Sequence, residues 1–166
     1  RIAVYVATTG GPVLIERITP ERAPQSMMCL RRTSTILPVS GDYDDFVRPG
    51  SGVIEREFGP FEDHSFRLDV TAPIGSGKSW QLGVFFAHAI AASTDYELST
   101  EAGDADEILM LTGQVDHDLN VGSVGHIPEK LVGLMEMLAE LGGRPVTWIV
   151  PAGENHDDVK HTDAIT

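Results

Sequence analysis

Two residues of the chain have the types and the spacing of a nucleophilic catalytic site that needs no histidine. Ser79 follows a glycine-rich turn, Gly75-Ser76-Gly77-Lys78, and Lys130 lies 18 residues after Thr112, at the start of a predicted helix. A serine hydroxyl attacks a carbonyl carbon when a neutral lysine amine accepts its proton, as in the Ser-Lys variants of nucleophilic catalysis. The arrangement is that of a hydrolase without histidine, whereas the ordinary interpretation of the same residues is that Ser79 is a helix N-cap and Lys130 a solvated surface charge.

Such a site depends on the protonation state of its lysine. An exposed lysine amine has a pKa of about 10.4, so it is protonated at neutral pH and accepts no proton. Burial and a nearby cation both disfavour the charged form. A dyad therefore requires Lys130 to be buried beside an apolar helix. Lys78 is a candidate for the nearby cation, or else a side chain that points to solvent.

Composition limits the functions of the chain. Its 166 residues, 42% of them hydrophobic, are enough for one well-buried domain. The net charge of −13 repels nucleic-acid phosphates, so we expect no binding of DNA or RNA. No long apolar window is present, so we expect no membrane span.

Two further features concern the cellular compartment of the protein and the extent of the sequence. The single cysteine, Cys29, excludes an internal disulfide framework and favours a reducing compartment, so we expect a cytoplasmic location. The sequence begins at Arg1 without a signal pattern, and we expect it to be part of a longer protein.

The apolar pattern predicts an α+β domain with a mixed sheet and two main helices. Residues 2–7 and 12–17 form a predicted hairpin, because the turn between them contains two glycines. An almost wholly apolar segment predicts a buried helix, and a proline at a first turn predicts the start of the second helix. The further predicted strands are 53–58, 65–70, 108–112 and 146–150, and the two helices are 79–93 and 128–141.

One domain is predicted over residues 1–158, followed by a flexible tail at 159–166. Within it, residues 19–52 contain four prolines and an acidic patch and are predicted to form a long irregular loop. That loop is interpreted either as a functional flap or as an ordered surface excursion with another short strand pair.

Residues 65–158 resemble the proteolytic domain of Lon proteases, and the opening hairpin resembles it faintly. Thr112-Gly113 stands where that family has Thr-Gly-Glu, and the step of 18 residues to Lys130 matches the family spacing. The segments that follow the family's Val-x-Pro-x-Gly-Gly-x-x-Glu-Lys and Ile-Leu-Pro…Glu-Asn patterns are Val121, Val124-Gly125, Glu129-Lys130-Leu131, Ile149-Val150-Pro151 and Glu154-Asn155.

The resemblance implies a fold, an activity and partners. The fold is the Lon proteolytic-domain-like fold, which is ribosomal protein domain 2-like, and the activity is that of a serine endopeptidase that cleaves unfolded or extended polypeptides. In the family the threonine that matches Thr112 bonds and orients the lysine, so the implied catalytic residues are Ser79, Lys130 and Thr112. The implied assembly is a homo-oligomeric ring. No cofactor is expected in this domain, and ATP only through a separate ATPase module or partner.

The chain departs from the family pattern around the serine and before the lysine. Ser76 replaces an acid, Lys78 a proline, and Trp80-Gln81 a small Ala-Gly pair, so Trp80 could fill the substrate cleft. Nearer to Lys130, Gln114 replaces Glu, Ser123 replaces Pro, and His126 replaces the second glycine. These changes fit either a divergent protease or a Lon-like scaffold or oligomerisation module without activity.

Residues 72–79 also fit a relaxed Walker A pattern. A phosphate-binding loop follows a strand and opens a helix, as this segment is predicted to do. No downstream strand ends in the aspartate that positions Mg²⁺ in such folds. Nucleotide binding is therefore the third interpretation.

The histidines give weaker signals. His117 and His156, each beside aspartates, are possible metal ligands, but adjacent residues on a turn seldom converge on one ion, so we expect no metal. His126 is interpreted either as lining the cleft or as an exposed loop residue.

Overall fold

The computed structural model describes residues 1–48, 52–62, 64–75, 77–122, 124–138 and 143–151. These residues form a mixed α and β structure with helices on both faces of a six-stranded sheet. The strands are β1 Ile2–Thr8, β2 Gly11–Glu21, β3 Met27–Leu30, β4 Ser65–Val70, β5 Glu107–Leu111, β6 Gln114–Val115, β7 Val121–Gly122 and β8 Val146–Ile149. The helices are α1 Ser40–Val47, α2 Val53–Phe58, α3 Gln81–Ala92 and α4 Ile127–Leu138, with a short 3-10 helix at Ala102–Asp104.

The main sheet has the strand order β3-β4-β2-β1-β5-β8. The predicted hairpin is confirmed, because β1 and β2 are antiparallel neighbours joined across Thr8 and Gly11. Strand β4 is antiparallel to β2, whereas β3 is parallel to β4 and both β1 and β8 are parallel to β5. The predicted α+β class with a mixed sheet is therefore confirmed. Strands β6 and β7 form a separate antiparallel pair.

The two faces of the sheet are covered by different helices. Side chains of a strand alternate between the faces, so Val4 and Val6 of β1 pack with α1, α2 and α3, while Tyr5 packs with α4. Strand β5 alternates in the same way, with Leu109 and Leu111 on the first side and Ile108 and Met110 on the second. The sheet is thus buried on both faces in its centre.

Two sequence predictions are wrong. Residues 53–58, predicted as a strand, form helix α2, which buries Val53 and Ile54 together. Adjacent residues of a strand point to opposite faces, whereas one side of a short helix can bury both. Residues 19–52 are not one irregular loop in their described part, since they contain the end of β2, strand β3 and helix α1.

The parallel strands set the position of the candidate site. Strands β1 and β5 are parallel with Val6 opposite Leu111, so their carboxyl ends lie side by side at one edge of the sheet. Thr112 follows directly after β5 at this edge. The predicted tail, the boundary at 158 and the last residues of the predicted second helix lie outside the described residues. Within the described part, no helix has the length and apolar content that crossing a bilayer requires.

Candidate active site

Lys130 is buried in α4 and bonded to Thr112. In α4 the side chains of Ile127, Leu131 and Leu134 face the sheet, and Lys130 shares that stripe because it lies three residues after Ile127 and four before Leu134. Thr112 continues the alternation of Ile108 and Met110 and therefore lies on the side of the sheet that α4 covers. The Lys130 Nζ donates a hydrogen bond of 3.0 Å to Thr112 Oγ1, and both residues are buried.

The electrostatics of Lys130 favour its neutral form. Burial lowers the pKa of the Lys130 amine below its ordinary value, while the neighbouring Glu129 carboxylate acts in the opposite direction and raises that pKa. Among the described residues, Lys130 has no ion pair. A charged amine that is buried lacks the solvation it would have in water, and no counter-ion among the described residues replaces it. Burial therefore has a larger effect on the pKa of Lys130 than Glu129 has.

Backbone hydrogen bonds fix Ser79 to the segment that follows Thr112. The Gly113 N–H donates to the Ser79 carbonyl at 2.9 Å, and the Leu82 N–H donates to the Gly113 carbonyl at 3.1 Å. A Cβ on Gly113 would lie 2.8 Å from Val121 Cγ1 and 3.1 Å from Leu82 Cδ2, so only glycine fits without displacement. We call these two hydrogen bonds the Gly113 link.

Gln81 extends the Gly113 link to the β6–β7 pair. Its side-chain Oε1 accepts a hydrogen bond of 2.9 Å from the Val115 N–H. Sequence reasoning missed the structural roles of Gly113 and Gln81. The available signal was the glycine directly after Thr112, at the end of a buried strand.

Ser79 and Lys130 line one cavity of about 580 Å³. Its lining includes the apolar side chains of Val6, Ile74 and Val124 and the polar groups of Gln114, His126 and Glu129. A cavity of this size is within the range of sites for small molecules or peptide side chains. The structure thus brings the predicted nucleophile and base to the same opening, with Thr112 buried behind the lysine.

The hydroxyl of Ser79 is not bonded to Lys130. Both residues are described, and no hydrogen bond joins Ser79 Oγ to Lys130 Nζ. Within the described residues, the backbone N–H groups of Ser79 and Trp80 donate no hydrogen bond. N–H groups free at a nucleophile are the donors that an oxyanion hole uses.

Trp80 does not fill the cavity. Its side chain is 1% exposed and packs edge to face against Phe46 of α1, with ring centroids 5.6 Å apart. The indole Nε1 donates to the Gly77 carbonyl at 2.9 Å. Trp80 is therefore part of the hydrophobic core, and the cavity that Ser79 lines is not filled by its side chain.

Lys78 faces a different surface from the one expected of a phosphate-binding loop. It is exposed and lines a neighbouring cavity together with three aspartates, Asp42, Asp45 and Asp116. The N–H groups of Gln81 and Leu82 donate to the Lys78 and Gly113 carbonyls, whereas those of Ser79 and Trp80 donate no hydrogen bond among the described residues. A phosphate-binding loop needs both free N–H groups and positive potential. The three aspartates beside Lys78 make the local potential negative, and this weighs against nucleotide binding by the described residues; Ser76 lies outside them.

His126 lines the cavity from the loop before α4. Its backbone has φ of 63°, a left-handed conformation that favours glycine, and it stands where the Lon pattern has a glycine. Its carbonyl accepts the Lys130 N–H at 3.0 Å, and its Nδ1 lies 3.9 Å from Glu129 Oε1. The side chain is 70% exposed. His126 is therefore an exposed loop residue that also lines the cavity.

The remaining histidines do not form a metal site in the described residues. His117 is exposed on the β6–β7 turn, and His156 lies outside the described residues. In the described ranges, no three His, Cys, Asp or Glu side chains converge to hold a metal ion.

Fold and site together define a class: a mixed α and β domain in which a serine and a buried lysine open into one cavity at the carboxyl edge of parallel strands. Comparison with known proteins adds no closer assignment, because no family model matches the chain and no curated protein matches its sequence.

Proposed function

We propose that the chain is a Lon-like serine endopeptidase domain that cleaves unfolded or extended polypeptides with a Ser-Lys dyad. Ser79 is the nucleophile, Lys130 the general base, and Thr112 the residue that orients the lysine. The observation that carries the proposal is the 3.0 Å hydrogen bond from Lys130 Nζ to Thr112 Oγ1 behind a cavity that Ser79 also lines. The left-handed backbone of His126, at a glycine position of the Lon pattern, is independent support.

In the proposed reaction, Ser79 Oγ attacks the scissile carbonyl carbon and transfers its proton to Lys130 Nζ. The candidate donors to the oxyanion that forms are the N–H groups of Ser79 and Trp80, which donate no hydrogen bond among the described residues. Lys130 then protonates the leaving amine, and an acyl group remains on Ser79. Water releases that acyl group with Lys130 again acting as the base. Catalytic hydrogen bonds are often long in unliganded enzymes and shorten when substrate binds, so the reaction requires Ser79 Oγ to approach Lys130.

The proposal is tested with unfolded casein and, separately, with a peptide boronic acid that forms a tetrahedral adduct on a catalytic serine. We expect cleavage and an adduct on Ser79 in the unmodified chain, and neither in Ser79→Ala. Ser93→Ala, at the other end of α3, is the matched control and should behave like the unmodified chain. Absence of both cleavage and adduct in the folded, unmodified chain rejects the peptidase function.

A second candidate is a Lon-like scaffold or oligomerisation module without catalysis. The missing hydrogen bond between the two described residues Ser79 and Lys130 favours it. This candidate predicts a folded, open cavity that takes no boronate adduct, so the same experiment separates the two functions.

Partners follow from the proposed family. A ring of identical subunits and a separate ATPase module are proposed, with a polypeptide as substrate. Val132 and Met135 on α4 are exposed to 59% and 49%, and this apolar surface is available to a second copy. The mass of the protein in solution tests the oligomer.

A further inference from the structure

The amine of Lys130 has an environment suited to chemistry other than proton transfer. It is buried, its only hydrogen bond among the described residues goes to the uncharged Thr112, and it forms no ion pair there. The same side chain lines a cavity of about 580 Å³. A lysine desolvated in an apolar pocket is the usual arrangement for an amine that reacts as a nucleophile with carbonyl compounds.

The cavity also selects what can reach this amine. Its lining includes the apolar side chains of Val6, Ile74 and Val124 together with the polar groups of Gln114, His126 and Glu129. A small apolar body with one polar end that reacts with Lys130 fits such a mixed lining. An exposed lysine in the same chain provides a contrast, because Lys78 is solvated beside Asp42, Asp45 and Asp116.

We propose that Lys130 is a carbonyl-reactive residue, which forms an imine with small apolar aldehydes that enter the cavity. The nitrogen lone pair attacks the aldehyde carbon, and the carbonyl π electrons move to the oxygen. That oxygen then leaves as water with the two hydrogens of the neutral amine, and a C=N bond replaces the C=O bond. Nothing is oxidised or reduced. The reaction does not involve Ser79, so it is independent of the proposed peptidase function.

The inference is tested with benzaldehyde at neutral pH and with cyanoborohydride, which reduces the imine to a stable secondary amine. Peptide mapping by mass spectrometry then gives the labelling rates of Lys130 and Lys78 in the same molecule. We expect Lys130 to be labelled about tenfold faster than Lys78, and the rate to saturate with benzaldehyde concentration, because a desolvated amine is neutral more often than an exposed one.

Three controls make the result specific. Lys130→Met keeps an apolar side chain of similar length and should remove the fast label while Lys78 reacts as before. Ser79→Ala should retain the fast label, even if it has lost all peptidase activity. Urea-unfolded protein should label both lysines at similar rates. The proposal is overturned if folded Lys130 reacts no faster than Lys78, or if its preference survives unfolding.

Discussion

Lys130 Nζ and Thr112 Oγ1 are 3.0 Å apart, although one residue belongs to a helix and the other follows a strand on the sheet beneath it. The hydrogen bond depends on the helical period of α4 and on the strand alternation of β5. The helical stripe of α4 turns Lys130 inward, and the alternation of β5 turns Thr112 toward α4. The amine is therefore held in one position before any ligand enters.

Thr112→Val should remove the orienting hydroxyl while it keeps the shape of the side chain. We expect kcat for peptide cleavage to fall by about 10- to 100-fold, because the lysine is no longer held, with KM changed much less. Thr112→Ser retains the hydroxyl and is the matched control. Steady-state kinetics on a peptide substrate checks this, and equal losses in the two variants would contradict the orienting role.

The peptidase rate should rise with pH, because only neutral Lys130 accepts a proton from Ser79. Burial lowers the pKa of Lys130, so the midpoint of the rise is expected below the ordinary lysine value. The Glu129 charge raises that pKa, and Glu129→Gln should move the midpoint to lower pH. Glu136→Gln, an exposed position on the same helix, is the control. A midpoint that Glu129→Gln leaves in place, or moves upward, argues against Lys130 as the base.

Gly113→Ala should disturb the site through sterics alone. The new Cβ lies 2.8 Å from Val121 Cγ1 and 3.1 Å from Leu82 Cδ2, so these side chains, or the elements that carry them, must shift. We expect a loss of about 1–3 kcal/mol in the free energy of unfolding and a lower peptidase rate. The new Cβ of Gly41→Ala in α1 meets no atom within 4 Å, so this control should lower neither the free energy of unfolding nor the peptidase rate. Denaturant unfolding and the casein assay measure the two effects.

Acid should destabilise the protein through His88. Burial lowers the pKa of His88 to about 3, and its imidazole shares a 2.9 Å hydrogen bond with the Tyr43 hydroxyl and packs against Phe66. The unfolded chain binds this proton near pH 6.5, so stability contributed by neutral His88 is present above that pH. It decreases on acidification toward pH 3, by on the order of 4 kcal/mol.

The double variant His88→Leu/Tyr43→Phe removes the imidazole without leaving a buried hydroxyl unpaired. Its free energy of unfolding, measured from pH 7 to pH 3, should decrease less steeply than that of the unmodified chain. Parallel pH dependences of the two proteins would show that His88 is not the group responsible.

Much of the fold could be predicted because its signals are local. The glycine turn between β1 and β2 is enough to predict the hairpin, the alternation of β4 is enough to predict a strand, and the apolar run of α3 is enough to predict a buried helix. The burial of Lys130 was expected only because a general base needs a neutral amine; its place on the stripe of Ile127, Leu131 and Leu134 was not part of the prediction. The order of the strands was not predicted, because it depends on pairing between distant segments.

The missed elements are stabilised by distant contacts. Helix α1 buries Tyr43, Phe46 and Val47, which have the spacing of one helical face. The segment was predicted as a loop because prolines and acidic residues surround this pattern. Tyr43 is hydrogen bonded to His88, and Phe46 packs against Trp80. The contact between Phe46 and Trp80 cannot be predicted from either segment alone, and so the cleft was considered as a position for Trp80.

The Gly113 link consists only of backbone groups, and so it does not depend on which side chain stands at position 79. Substitution of the serine or the lysine leaves those two hydrogen bonds in place. Backbone architecture and the proposed reactivity are thus separable in this domain: a variant without the Ser79 hydroxyl should keep the same hydrogen bonds around the cavity.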